Sequence, residues 1–310
     1  MILKRLSLLL ALVVLVGFAL PCLADTIIYQ YDNLYRLRTA TYADGTVIEY
    51  TYDFAGNRLT KVITAAGVVI LHRDGALWSS SAGWNLNTPP YYPGSAYAVD
   101  IEYRTDGSCL ILHKDGAVWD SDSGWNMATP PYYPGTAYAR DLEITSSGSY
   151  GILHKDGCLW DSATGWVLTT PPYYPGTDYA VGLQYRSNGS YLILHREGAV
   201  YDSDAGWNTN TPPFYPGTIW AKDLELTSNG TNYVILHQDG ALWSTDGGWL
   251  MDSPPYYAGS SYAADLELKA DGVYAILHKY GAVWDSINGW NMATPPYYPG
   301  DAYAVDLELK

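Results

Sequence analysis

The sequence predicts an all-β protein, for the most part a six-bladed β-propeller, and three observations predict it. Six histidines, His72, His113, His154, His195, His237 and His278, recur at spacings of 41, 41, 41, 42 and 41 residues, and a fixed period of that size marks tandem supersecondary units. Each unit holds four short extended segments parted by glycine-containing turns, with no helical periodicity, which is the content of a propeller blade. The strand types are also offset: the first unit lacks the strand type on which the chain ends. Composition agrees, with 30 Tyr and 12 Trp against 3 Phe, and with 30 Gly and 18 Pro in 310 residues. Aromatic residues favour strands, and Gly and Pro mark the turns between them.

The unit around His154 shows how each element is read. Residues 137–145 alternate, placing Asp141 and Glu143 on one face and Leu142 and Ile144 on the other, as a strand of period two requires. Ser147-Gly148 turns the chain into a second strand, Tyr150 to His154. Asp156-Gly157 is a hairpin signal, followed by a third strand, Cys158 to Asp161. Thr164-Gly165 turns again, and Trp166 to Leu168 supplies a short fourth. A Pro-Pro-aromatic loop then leaves the sheet, because proline cannot donate to a ladder.

Counting these parts predicts closure. The second strand Val68 to His72 has no Asp-Leu-Glu strand before it, whereas residues 302–310 (Ala302 to Lys310) form one with nothing after it. Pairing the two completes the N-terminal blade and removes the free edges of the ring. The competing first strand is Leu59 to Thr64, which directly precedes Val68. Residues 65–310 thus hold the six blades.

Two segments precede them. Residues 1–24 carry Lys4 and Arg5, an uncharged apolar run from Leu6 to Phe18, and Cys22-Leu23-Ala24 before Asp25. This reads as a secretory signal peptide cleaved after Ala24. Lipidation of Cys22 is disfavoured, because Ala19-Leu20-Pro21 puts bulk and a proline where a lipobox wants small residues. Cleavage leaves 15 basic against 32 acidic residues, a net charge of −17 in place of −15. That balance argues against nucleic-acid binding. The apolar run is too short to span a bilayer, so no membrane span is expected after cleavage. Cys109 and Cys158, on different strands of neighbouring repeats, read as packed thiols.

Residues 25–64 form a second repeat system. Tyr29-Gln30-Tyr31-Asp32 is followed 21 residues later by Tyr50-Thr51-Tyr52-Asp53-Phe54-Ala55-Gly56-Asn57-Arg58-Leu59, with Asp44-Gly45 as a hairpin turn between them. The module resembles the YD repeats of the RHS and teneurin families. The first unit departs from that pattern, with Tyr35 where a glycine is usual. Two units cannot enclose anything, so the resemblance implies ancestry or an attachment module. In the propeller, Trp119-Asp120, Trp160-Asp161 and Trp284-Asp285 resemble the Trp-Asp of WD40 repeats, and Ser203 to Trp207 resembles the sialidase Asp-box turn. The intervals are too short in both cases, and neither function carries over.

Three sets of residues are candidates for a site. The histidines sit on second strands of different blades, too far apart for a shared metal, and so read as structural. The first strands carry Asp100, Asp141, Asp223, Asp265 and Asp306, with Glu102, Glu143, Glu225, Glu267 and Glu308 two residues on; one blade has Gly182 and Gln184 instead. If these ten carboxylates face a central channel, they either raise one another's pKa values or recruit a cation such as Ca²⁺. Alternatively, the Asp side chains bond backbone groups of adjacent blades. No other cofactor is expected. The Pro-Pro loops present Tyr91 and Tyr92, Tyr132 and Tyr133, Tyr173 and Tyr174, Phe214 and Tyr215, Tyr256 and Tyr257, and Tyr297 and Tyr298. Tyrosine faces stack on sugar rings, and six copies give avidity. The alternative is a rigid linker with its rings tucked in, while the third-strand and Gly-Trp tryptophans fill the space between blades.

No nucleophile constellation breaks the repeat symmetry, so an enzyme is not expected. The sequence points to an exported binding module for surface glycans or peptides. The alternative is a structural scaffold of the cell envelope with no small-molecule ligand.

Overall fold

We describe a computed structural model over residues 28–41, 47–53, 56–64, 67–86, 91–128, 131–168, 172–209, 213–250, 256–268, 274–286, 289–292 and 296–309. The expected signal peptide and the Asp44-Gly45 turn lie outside these residues. The chain divides into two compact units, Met1–Ala66 and Gly67–Lys310.

The first unit is a four-stranded antiparallel meander of Ile28–Tyr31, Leu37–Thr41, Val47–Tyr52 and Arg58–Thr64, paired in sequence order. Its two Tyr-Asp aspartates organise turns. Asp32 accepts the amides of Leu34 and Arg36 and takes the Arg36 Nε at 2.7 Å. Asp53 accepts the Asn57 amide and side chain at 2.8 and 2.9 Å. Gly56 has φ +89°, and Tyr35 holds the matching position at φ +60°, the one positive-φ non-glycine residue among those described. The left-handed backbone explains the glycine of the second repeat and gives Tyr35 a local strain. Tyr35 is 90% exposed, so no packing offsets it.

The second unit is the expected propeller, with six four-stranded antiparallel sheets in a closed ring. The third blade comprises Ala139–Ile144, Tyr150–His154, Leu159–Asp161 and Gly165–Val167, and the other five repeat it. The first strands touch one another all the way round, so they form the innermost layer. The closing strand is Ala304–Leu309, which pairs with Val68–His72 from Ala304 opposite His72 to Leu309 opposite Val68. The competing segment is taken up elsewhere, since Arg58–Thr64 pairs with Val47–Tyr52 in the first unit.

Alternation makes both faces of every blade apolar near the second strand. In the second blade, Ile101 and Ile111 lie opposite each other on one face, while Asp100 and Glu102 lie opposite Leu112 and Leu110 on the other. Ile101, Ile111 and Trp119 then pack on Val69 and Leu71 of the first blade. Leu110 and Leu112 pack on Leu142 and Ile152 of the third. Equivalent seams join the remaining pairs, and the last packs Leu277 of the sixth blade against Ile70, Tyr303 and Leu307. Burying each such Leu or Ile contributes about 1.5–3 kcal/mol, so every blade depends on both neighbours. Cys109 and Cys158 are buried and outside any disulfide, and burial pushes the Cys158 thiol up to about 12.

Backbone hydrogen bonds also run round the ring. Lys114 N donates to Tyr97 O, Tyr138 N to Lys114 O, Lys155 N to Tyr138 O and Tyr179 N to Lys155 O, each at 2.8–2.9 Å. The same alternation closes at Tyr303, whose amide donates to Lys279 O at 3.0 Å and whose carbonyl accepts from Arg73 N at 2.8 Å. Each first strand is thereby tied at its start to the hairpin turns of two successive blades.

Candidate functional site

At that tied end every blade assembles the same aromatic group. The hairpin turn after each histidine ends in a left-handed glycine, as at Gly157 with φ +80°. A β-carbon there would run into the Tyr179 hydroxyl and the Pro172 carbonyl, so the turn must be glycine both for its conformation and for the close approach of the loop. The loop is pinned by its second aromatic residue, whose amide donates to the turn: Tyr174 N to Asp156 O and Tyr92 N to Asp74 O, both at 2.8 Å.

The histidine packs between two rings, tilted or stacked on the first and edge-on to the second. Its first neighbour is the residue just before the first strand, Tyr303, Tyr97, Tyr138, Tyr179, Trp220 or Tyr262, at centroid separations of 3.8–5.0 Å. Its second is the Gly-Trp tryptophan, at 4.5–6.1 Å. The second loop tyrosine lies edge-on or tilted against the residue before the first strand at 5.3–5.7 Å. Burial holds every imidazole below its ordinary pKa, His113 and His154 at about 3 and His278 at about 4. In the first blade His72 Nδ1 meets Asp74 Oδ1 at 2.9 Å.

Cavities open on these groups. In the first blade a cavity of about 360 Å³ is lined by His72, Asp74, Trp84, Tyr91, Tyr298 and Asp301, among others. In the third, one of about 290 Å³ is lined by Tyr133, His154, Asp156, Cys158, Trp166, Leu168 and Tyr173. Each is walled by a tyrosine from the loop entering the blade (Tyr298, Tyr133) and one from the loop leaving it (Tyr91, Tyr173). The two aromatics of one loop therefore belong to successive blades. The second of each pair, Tyr92, Tyr133, Tyr174, Tyr215, Tyr257 and Tyr298, is 40–50% exposed. The first, Tyr91, Tyr132, Tyr173, Phe214, Tyr256 and Tyr297, is half-buried. The loops thus carry surface rings, and the histidines, Gly-Trp tryptophans and turn acids complete the walls. The sequence reads those last three as packing or turn residues, and the signal that sets them beside the loop is their fixed interval from it in every repeat.

At the other candidate site, each first strand carries a bulge at the residue before the aspartate or glycine, as between Ala139 and Asp141, which re-aims the side chains that follow. Every Asp reaches the next blade. Asp306 accepts from Ile101 N at 2.6 Å, Asp141 from Leu183 N at 2.5 Å, Asp223 from Leu266 N at 3.0 Å and Asp265 from Leu307 N at 2.8 Å, and Asp100 accepts from Leu142 N. Gly182 has no side chain to offer, and Leu224 N turns to its own Asp223 Oδ1 at 2.8 Å. Gln184 donates to Glu143 and, at 3.2 Å, to Glu225. Burial first, and then the surrounding carboxylates, raise Glu102, Glu143, Glu225, Glu267, Asp141, Asp265 and Asp306 well above the ordinary carboxylate range. Both oxygens of Asp223 and of Asp306 are engaged by amides, and one oxygen of each of the other three aspartates is, so a Ca²⁺ ion would be left with those three remaining oxygens and the glutamates. Among the described residues no three His, Cys, Asp or Glu side chains form a group that could hold a metal ion.

No family model and no curated protein matches the chain. Among solved structures, a protein of unknown function from Bacteroides caccae is similar at 11% identity, over 79% of this chain and 98% of that one, with a TM-score of 0.53. Selenomethionine-substituted virginiamycin B lyase from Staphylococcus aureus aligns at 8% identity over 82% of this chain and 96% of that one, with a TM-score of 0.46. At 11% identity the first likeness is one of fold alone, and nothing is carried over from the second. No helix among the described residues is long and apolar enough to cross a membrane.

Proposed function

We propose that the chain is an exported, non-enzymatic binding module that recognises surface glycans or peptides through its six repeated aromatic groups, with cavities in the first and third blades and the YD-like segment as an attachment module. The observation that carries this reading is repetition of one group in every blade: a histidine packed between two rings, edge-on to the Gly-Trp tryptophan, with an exposed loop tyrosine beside it. Exposed, rigidly mounted tyrosine faces suit sugar rings and peptide side chains alike. Six weak sites on one rigid body bind a polymer surface by avidity. A catalytic centre would need one blade to depart from the rest by gaining a reactive group, and the blade that departs at the axis does so by losing charge.

The test is a glycan and peptide array probed with the mature protein, beside a variant with Tyr→Ala at 92, 133, 174, 215, 257 and 298. Retained ligands that the variant loses support the reading. Binding to neither array favours the envelope scaffold instead.

A further inference from the structure

We propose that the pockets hold an organic cation, an alkylated ammonium group. The inference rests on reading the pockets as ligand sites and names the group they take. Every formal charge on the two cavity linings is negative: Asp74 and Asp301 in the first blade, Asp156 in the third. The position two residues after the histidine repeats this acid, as Asp74, Asp115, Asp156, Glu197 and Asp239, with Tyr280 in the sixth blade. No Lys or Arg lines either cavity. Arg73 approaches Asp301 at 3.7 Å from an exposed position, whereas the ring that meets Asp74 is His72, which burial keeps neutral.

The walls suit the same ligand. Trp84, Tyr91 and Tyr298 surround the first cavity, and Trp166, Tyr133 and Tyr173 the third. The Trp84 and Tyr298 rings are 22° from parallel with centroids 6.4 Å apart, and Tyr215 and Trp249 repeat that arrangement at 23° and 6.4 Å. Aromatic faces attract a cation through their quadrupoles, by about 0.5–1 kcal/mol when exposed and about 2 or more when desolvated. An alkylated ammonium also buries methyl groups against the rings and needs no hydrogen-bond partner. Cavities of about 290 and 360 Å³ admit a group of that size. A neutral ring would gain the stacking, and hydrogen bonds from any hydroxyls, but no charge attraction from the repeated acid.

Calorimetric titration of the full chain with choline, and with dimethylbutanol as its uncharged carbon isostere, tests the proposal at fixed ionic strength. Saturable choline binding, about ten-fold or more tighter than dimethylbutanol, is expected. Equal affinities, or no saturable choline heat, overturn it. A second variant removes the acids isosterically: Asp→Asn at 74, 115, 156 and 239, with Glu197→Gln. It should lose choline affinity by about ten-fold and keep that for dimethylbutanol; unchanged choline affinity overturns the proposal. If that variant does not fold, the ligand pair on the native chain decides alone. Choline binding with blank arrays leaves this inference standing without the glycan or peptide reading. Array ligands that choline does not displace sink the inference and keep that reading.

Discussion

Each first strand joins two regions that use repetition in opposite ways. Its entry, at Tyr138 in the third blade, belongs to the aromatic group around His154; a few residues on, Asp141 and Glu143 belong to the axis. At the pockets, a change in one blade alters one copy: Trp220 stands for Tyr and still stacks on His237 at 4.2 Å. At the axis, a change in one blade reaches its neighbours. Gln184 bonds Glu143 and Glu225 together, and Gly182 offers no side chain to the amide of Leu224, which keeps the bond to its own Asp223. Six copies far from the axis are six sites, whereas six copies on the axis are one site with six contributors.

The largest effect should come from breaking both regions at once. Removing residues 302–310 deletes Tyr303 from a pocket and Asp306 and Glu308 from the axis, and it exposes the edge of Val68–His72. Loss of cooperative unfolding and self-association are expected by calorimetry and sedimentation.

Next, Gly157→Ala should destabilise by about 1–3 kcal/mol, because the new methyl adds a clash with Tyr179 and Pro172 to the left-handed backbone. Gly124→Ala, at φ +81° with nothing within 4 Å, should cost only the backbone term, about 1 kcal/mol. Equal losses in denaturant unfolding would show that the loop does not press on the turn.

The pH response separates the regions by sign. The raised axial carboxylates hold protons that the unfolded chain releases, so their contribution is complete below the ordinary carboxylate range and declines as pH rises through their raised values. The neutral histidines act oppositely. Their contribution is complete above the ordinary imidazole value and is lost as pH falls through it towards about 3 at His113 and His154. Gln184→Glu places a further carboxylate between Glu143 and Glu225. The melting temperature should fall, and fall further at pH 8 than at pH 5; a pH-independent change would show that these carboxylates do not sense one another.

The smallest expected effect is a gain. Gly182 is not left-handed, and a β-carbon there would meet Leu194, Asp223 and Leu224 at 3.5–3.7 Å, ordinary contact. Gly182→Ala should stabilise by about 0.4–1 kcal/mol through the unfolded chain, readable as a shift of the denaturation midpoint.

The sequence by itself determined the blade and the number of blades and favoured residues 302–310 over Leu59 to Thr64 as the closing strand. Those depend on alternation, turn chemistry and a count of parts, all local or periodic, and Ala304–Leu309 pairs where the count required. It also separated the two candidate sites, because Asp141 and Glu143 share a strand face and the Pro-Pro loops leave the sheet. Only the tertiary structure decided which partners these residues meet. The aspartates reach amides in the next blade about 42 residues on, as from Asp100 to Leu142, a contact fixed by ring geometry and not by any local pattern. His154 joins the loop tyrosines because the ring folds Tyr133, Tyr138 and Trp166 around it. A period of 41 residues states that six equivalent groups exist, but packing between blades sets which of them converge.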